Sequence, residues 1–206
     1  MLHVQKLSLY QAQQALIQNL SFQVAAGEVL SVMGASGVGK STLLTWMIGA
    51  LSSAFTATGQ CFLNQRRVDE LPTEQRQIGI LFQDDLLFPH LTVGGNLAFA
   101  LPAHIKGSAR QQQIDTALEQ AGLAGFAKRD PSSLSGGQRA RVSVLRALLA
   151  EPQALLLDEP FSRLDTALRQ QFRSFVFAQI AHLQIPAVLV THDLADVPSD
   201  GRIIQL

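Results

Sequence analysis

Short apolar runs and period-two alternation dominate the chain as far as residue 83, and a helical period takes over after that. LHVQKLSLY (2–10) and ALIQNLSFQV (15–24) read as strands; in the second, Leu20, Phe22 and Val24 alternate with polar residues as one buried face does. Ala25-Ala26-Gly27 marks a turn before EVLSVM (28–33), a more continuously apolar strand, and a helical run is predicted from about 40 to 50. GQCFLN (59–64) and QIGILFQ (77–83) are further predicted strands. From about 84 to 150 the pattern predicts helix: Ile114, Leu118 and Ala121 share one face, and a loop with Pro131 precedes LSGGQ (134–138), which opens another helix. ALLLDEP (154–160) is an apolar run closed by acids and proline, the pattern of a parallel strand buried on both faces. A long amphipathic helix follows, carrying Leu168, Phe172, Phe175, Val176 and Leu183, and PAVLVTHD and RIIQL supply two last strands. Strands alternating with helices predict an α/β sheet with a helical insert over about 84–150.

Charge and composition narrow the partners. Lys plus Arg and Asp plus Glu each number 16 among 206 residues, and a balanced chain lacks the basic excess that phosphate neutralisation on nucleic acid requires. The single Cys61 excludes an internal disulfide and a cysteine-based zinc site, and is expected to be a buried packing residue. The apolar run LLTWMIGAL (43–51) falls well short of the roughly 20 residues a spanning helix needs, and the N-terminus lacks a signal-peptide layout. A soluble, cytosolic chain is expected, with enough apolar content for a contact surface.

Gly34-Ala35-Ser36-Gly37-Val38-Gly39-Lys40-Ser41-Thr42, between a predicted strand and a predicted helix, fits G-x-x-x-x-G-K-[ST] in the context that pattern requires. Glycines let backbone N–H groups approach phosphate oxygens, and the helix N-terminus adds partial positive charge. Lys40 supplies a cation for the outer phosphates, and the Ser41 hydroxyl can ligate Mg²⁺. At the end of a buried strand, Asp158 is placed to hold Mg²⁺ and Glu159 to polarise an attacking water. His192, after the strand AVLVT, can hydrogen-bond a γ-phosphate, and Gln83, at another strand end, can reach Mg²⁺ or water.

A second cradle lies at Ser135-Gly136-Gly137-Gln138, where Ser135 fits an N-cap and the glycines permit close backbone approach. It has no lysine and no hydroxyl placed for a metal, so it can form only part of a site. Two uses are open to it: a separate anion ligand, or closure over a nucleotide held by another copy of the chain.

The ordered set GASGVGKST, Gln83, LSGGQ, LLLDE, SRLD and His192 resembles the ATP-binding cassette ATPase family over nearly the whole chain. The resemblance implies a P-loop nucleoside triphosphatase core with a mixed sheet, an N-terminal antiparallel β part and a helical subdomain at about 84–150, all within one ATPase domain over 1–206. It implies ATP and Mg²⁺ as cofactors and head-to-tail pairing with a second copy or a related ATPase subunit, so that Ser135, Gly136, Gly137 and Gln138 complete the partner's ATP site. Tyr10 stands where the family places an aromatic against adenine, and Asp165 would touch the opposite subunit. Arg163 occupies a position that is usually alanine. GILFQDDLLFPHLTVGGNLAFAL resembles the region of spermidine, iron and thiamine importer ATPases that docks an integral membrane permease, although Gly95 replaces a common glutamate; Phe88, Pro89 and Leu91 form its apolar cluster. No regulatory domain of the kind many such relatives carry is expected after the last strand. The implied function is the ATP-hydrolysing subunit of a bacterial importer, peripheral on the cytoplasmic face of the inner membrane. The alternative is a soluble cassette ATPase not coupled to transport, a class that usually carries long coiled-coil inserts or two fused cassettes. A kinase or GTPase reading would leave LSGGQ unexplained, and no Asn-Lys-x-Asp guanine motif is present.

Overall fold

β1 (Leu2–Gln11) buries Leu2 and Val4 on even positions but Leu7 and Leu9 on odd ones. The change of parity falls at a bulge around Lys6, whose φ is 48°, where the register to both neighbouring strands shifts. An inserted residue lets both apolar pairs face one side of the sheet. β1 pairs antiparallel with β2 (Gln14–Val24) and with β4 (Phe55–Leu63), and β4 pairs with the short β5 (Arg66–Arg67), giving the order β2-β1-β4-β5. β4 begins at Phe55, ahead of the predicted start at Gly59.

This computed structural model describes residues 1–162 and 164–206; Arg163 lies outside them. The chain forms two compact units. The first comprises Met1–Ile80, Gln153–Glu159 and Phe177–Leu206, the second Leu81–Pro152 and Pro160–Val176. A second sheet has the order β6 (Ile78–Leu81), β7 (Ala154–Asp158), β8 (Ala187–Val190), β3 (Val29–Met33), β9 (Arg202–Gln205), with β7–β8, β8–β3 and β3–β9 parallel. β3 and β8 are buried at every position and β7 at four of its five, which is why they read as unbroken apolar runs.

α1 (Lys40–Ile48) follows β3, and its C-terminal carbonyls are held by one buried cation. Arg76, at the end of α2 (Thr73–Arg76), donates to the carbonyls of Trp46 and Met47 and, with its other nitrogens, to those of Leu71 and Asp69. Four neutral acceptors satisfy most of a guanidinium that burial would otherwise leave costly.

The second unit is helical: α3 (Val93–Ala100), α4 (Gly107–Gln120), α5 (Gly136–Leu149) and the opening turns of α6 (Thr166–Leu183). Val93, Leu97, Ile114, Leu118, Val142 and Leu145 centre its core. The predicted helical character does not begin at 84, because residues 84–92 form a loop. Buried Asn96 supplies the reason: its side chain accepts from the Phe88 N–H at 2.8 Å and donates to the carbonyls of Phe88 and Thr92 at 3.1 Å. These bonds satisfy the loop backbone without helical pairing. Among the described residues, no helix is long and apolar enough to cross a membrane.

Candidate nucleotide site

Gly34–Gly39 link β3 to α1, so a backbone turn lies directly before a helix N-terminus. Gly39 caps that helix with φ 105°, a left-handed conformation closed to most side chains, and a Cβ there would sit 3.2 Å from the Cβ of Leu16. Lys40 is only 8% exposed, and its ammonium donates to the carbonyls of Gly34 and Ala35, both at 2.9 Å. The lysine is thereby curled over the loop. Val38 N–H closes a turn on Ala35 at 3.4 Å, and Ser36, Gly37 and Thr42 line a hollow of ≈ 300 Å³ beside it.

β7 delivers the acids. The Ser41 hydroxyl donates to Oδ1 of Asp158 at 3.0 Å. Burial pushes the Asp158 carboxyl above the usual carboxylate range; the Ser41 hydrogen bond and Lys40 oppose this, and Glu159 adds to it. A raised carboxyl beside a second acid is a place where a cation is favoured. The donors are hard oxygens, and no group of three or more His, Cys, Asp or Glu is placed to hold a metal ion by itself among the described residues. That set suits Mg²⁺, which takes one or two carboxylates plus substrate phosphates rather than an all-protein cage. Glu159 is a non-glycine residue at φ 46°, pinned by its N–H to the Val190 carbonyl at 3.0 Å. Its Oε1 lies 3.1 Å from Nδ1 of His192. Strain of this kind persists only where the surroundings hold it, and it concentrates at functional sites.

Thus one unit brings together Gly34–Thr42, Asp158, Glu159 and His192. Tyr10 is half-buried on β1 and is not among the residues lining the hollow; its neighbour Gln11, together with Leu16 and Phe55, is. Gln11 and Phe55 sit opposite each other where β1 pairs with β4, a long-range register that no local periodicity announces.

The other predicted residues belong to the second unit. Exposed Gln83 donates to the Ser162 hydroxyl at 3.3 Å. Asp165 accepts from the N–H of Leu168 at 3.1 Å at the start of α6. Ser135 is the N-cap of α5: its hydroxyl accepts from Gln138 N–H at 3.3 Å, and the Gln138 side chain accepts from Ser135 N–H at 3.0 Å. The two glycines between them differ. At Gly136 an added Cβ would meet nothing closer than an Arg139 nitrogen at 4.0 Å, whereas at Gly137 it would lie 2.0 Å from Cδ2 of Leu168. Gly136 leaves the mouth of the helix open, and Gly137 makes room for α6. Gly137→Ala is therefore expected to cost about 1–3 kcal/mol in thermal or urea unfolding, the usual range for overpacking. Gly136→Ala should stay within about 0.5 kcal/mol. Adding Leu168→Ala should recover part of the Gly137→Ala loss; equal stability of the two glycine variants would refute the packing role.

The loop after Gln83 is fastened to α5 by side chains. Arg139 pairs with Asp85 at 2.8 Å, and the Ser143 hydroxyl and Arg146 donate to the carbonyls of Asp85 and Leu86, both at 2.9 Å. Phe88 is half-buried, edge-on to Phe99 at 4.9 Å, with the Arg146 guanidinium 5.2 Å from its ring. Pro89 of the predicted cluster is exposed, and the large exposed apolar side chains here are Leu86, at 55%, and Phe99, at 69%. Leu86 and Phe99 lie outside the cluster the sequence predicts, because apolar periodicity reports what helices bury rather than what they leave out.

A phosphate-loop turn feeding α1, with a hydroxyl–carboxylate pair and an acid–histidine pair at the ends of adjacent parallel strands, defines a P-loop nucleoside triphosphatase. The family model described as ABC transporter matches residues 17–162, and the chain belongs to that family, as an ATP-binding and ATP-hydrolysing subunit. It is 56% identical over 206 residues to the uncharacterized ABC transporter ATP-binding protein YnjD of Escherichia coli (strain K12), covering 100% of this chain and 95% of that protein. The thiamine import ATP-binding protein ThiQ of Jannaschia sp. (strain CCS1) is 40% identical over 95% of this chain and 84% of its own length. The Fe(3+) ions import ATP-binding protein FbpC of Haemophilus influenzae (strain 86-028NP) is 38% identical over all of this chain, which spans 62% of that relative. Among solved structures, the dimeric post-hydrolysis state of the ATP-binding cassette MJ0796 bound to ADP and Pi superposes with a TM-score of 0.83 at 27% identity, covering 100% of this chain and 94% of that one.

Proposed function

We propose that the chain powers a bacterial importer as one ATPase domain on the cytoplasmic face of the inner membrane, bound to integral permease subunits and paired head to tail with a second copy or a related subunit. The observation that carries this reading is the unequal equipment of the two cradles. The loop at Gly34–Thr42 has Lys40, the Ser41–Asp158 pair and the Glu159–His192 pair around it, while the Ser135–Gln138 cradle itself contains neither a lysine nor a carboxylate. The import relatives support the direction of transport, and the dimeric cassette supports the pairing.

In this reading ATP lies along the first loop, with its outer phosphates against Lys40 and backbone N–H groups. Ser41 and Asp158 would hold Mg²⁺, which would supply charge neutralisation at the phosphates, and Gln83 is the further ligand expected from the sequence. Glu159 accepts the proton of the attacking water. His192 uses one ring nitrogen on Glu159 and turns the other to the γ-phosphate. Gln11, Leu16 and Phe55, with Tyr10 beside them, receive the base. Ser135–Gln138 of the second copy close over the phosphates.

A cross-link tests the pairing. Ala35→Cys and Ser135→Cys are combined with Glu159→Gln to hold ATP, and the chain is oxidised mildly with Mg²⁺ and ATP present. Cys61 can remain, since it is fully buried and desolvation, with the nearby Asp69 charge adding to it, pushes its thiol up to about 12. A disulfide requires Cα atoms within about 4.4–6.8 Å, so an ATP-dependent covalent dimer on a non-reducing gel is the expected result. Ser36→Cys in place of Ala35→Cys covers a small offset. An ATP-dependent link within one chain, with no dimer at either pair, would overturn the reading.

A further inference from the structure

We propose that Thr191 and Asp196 form a buried latch that positions His192 for catalysis, an inference that rests on the role given to His192 above. β8 ends at Val190, and the chain turns outward immediately afterwards. Thr191 is tied to the core by its N–H, which donates to the Val32 carbonyl on β3 at 3.3 Å. Its side chain then organises the turn. The hydroxyl donates its one proton to Oδ2 of Asp196 at 2.8 Å and accepts from the N–H of Asp193 at 3.1 Å. Both side chains lie deep in the fold: Thr191 and Asp196 are each 1% exposed.

His192 sits between the two ends of this hydroxyl bridge, one residue after the donor and one before the N–H that the hydroxyl accepts. The far side of the turn is closed by Asp193, whose carboxylate accepts from Ala195 N–H at 2.9 Å and whose carbonyl accepts from Asp196 N–H at 3.1 Å. The backbone around His192 is therefore fixed from the core outward, although the imidazole itself is mostly exposed and its Nδ1 reaches Oε1 of Glu159 at 3.1 Å. An exposed catalytic side chain keeps its aim only if a locked neighbour supports it. A buried carboxylate is costly to retain in a strand-end turn unless something needs its geometry.

The full chain, assayed for ATP hydrolysis across a range of ATP concentrations, tests the latch. Thr191→Val keeps the volume and deletes both hydrogen bonds. It is expected to lower kcat by about 10²-fold, the scale of a small misplacement of a catalytic group, with KM little changed. Thr191→Ser keeps the hydroxyl and is expected to restore kcat. In a His192→Ala background Thr191→Val should have no further effect, because nothing is left for the latch to aim. An equal loss in both backgrounds, or a raised KM with kcat kept, marks a purely structural role and overturns the proposal. Wild-type kcat in Thr191→Val, with His192→Ala impaired, overturns the latch while leaving the reading of His192 intact. Wild-type kcat in His192→Ala overturns that reading and the latch with it. Should Thr191→Val fail to fold, Asp196→Asn, which still accepts from the hydroxyl, is compared with Asp196→Ala, which does not. Turnover retained only in the Asn variant supports the latch, and equal turnover in the two refutes it.

Discussion

Glu159→Gln is expected to hold ATP with near wild-type affinity and to lose turnover by about 10²–10⁴-fold, the usual worth of a general base. The amide fills the same volume and keeps an oxygen facing Nδ1 of His192, 3.1 Å away in the native chain, but it cannot take a proton from water. Everything proposed to bind the phosphates stays in place: the Lys40 ammonium over the loop and the Ser41–Asp158 pair. The loss corresponds to about 3–5 kcal/mol of barrier. Lys40→Ala gives the opposite signature, weak binding, because the loop loses its cation together with the donor to the Gly34 and Ala35 carbonyls. Equilibrium binding of ATP measured beside steady-state turnover separates the two. Wild-type turnover in Glu159→Gln would remove Glu159 from the role of base.

Phe99→Asp is expected to abolish recruitment to membranes that carry the permease while sparing ATP binding by the isolated chain. Phe99 is 69% exposed at the end of α3, so the substitution costs the fold little. At the centre of an apolar contact such an aromatic is commonly worth about 2 kcal/mol or more, and a carboxylate there adds a desolvation cost. Phe88 is a poorer probe, although the sequence points to it first. Half-buried, with Phe99 on its edge and Arg146 over its ring, it would disturb the loop itself when changed to Asp. Co-sedimentation of Phe99→Asp with membranes at the wild-type level would show that this patch is not where the permease docks.

The proposed phosphate-binding stretches are legible in the sequence because phosphate binding needs particular residue types in consecutive positions. Gly34–Thr42, Ser135–Gln138 and Asp158–Glu159 are each contiguous, and each sits at the mouth of a helix or the end of a strand whose pattern is visible alone. What stayed hidden depends on distant pairing. Phe55 comes to the hollow through its register with Gln11, and Gly137 needs its bare backbone because of Leu168. Residues 84–92 carry apolar side chains at spacings a helix would also show, and it is buried Asn96 that takes up their backbone groups. The bulge at Lys6 breaks the parity of β1, which a strict alternation template misreads.

The reciprocal bonds between Ser135 and Gln138 give the proposed pairing a kinetic character. Because reciprocal side-chain bonds already order the Ser135–Gln138 turn at the open mouth of α5, that turn need not freeze when a second copy arrives. Rigid faces lose little configurational freedom on meeting, so most of the attraction between nucleotide and cradle is available to hold the copies together. Affinity differences in such contacts are expressed mainly in how fast the partners separate. In the pair proposed here, hydrolysis would act as a timer: cleavage of the γ-phosphate shortens the lifetime of the closed state, while the rate at which the two copies find each other is nearly unaltered.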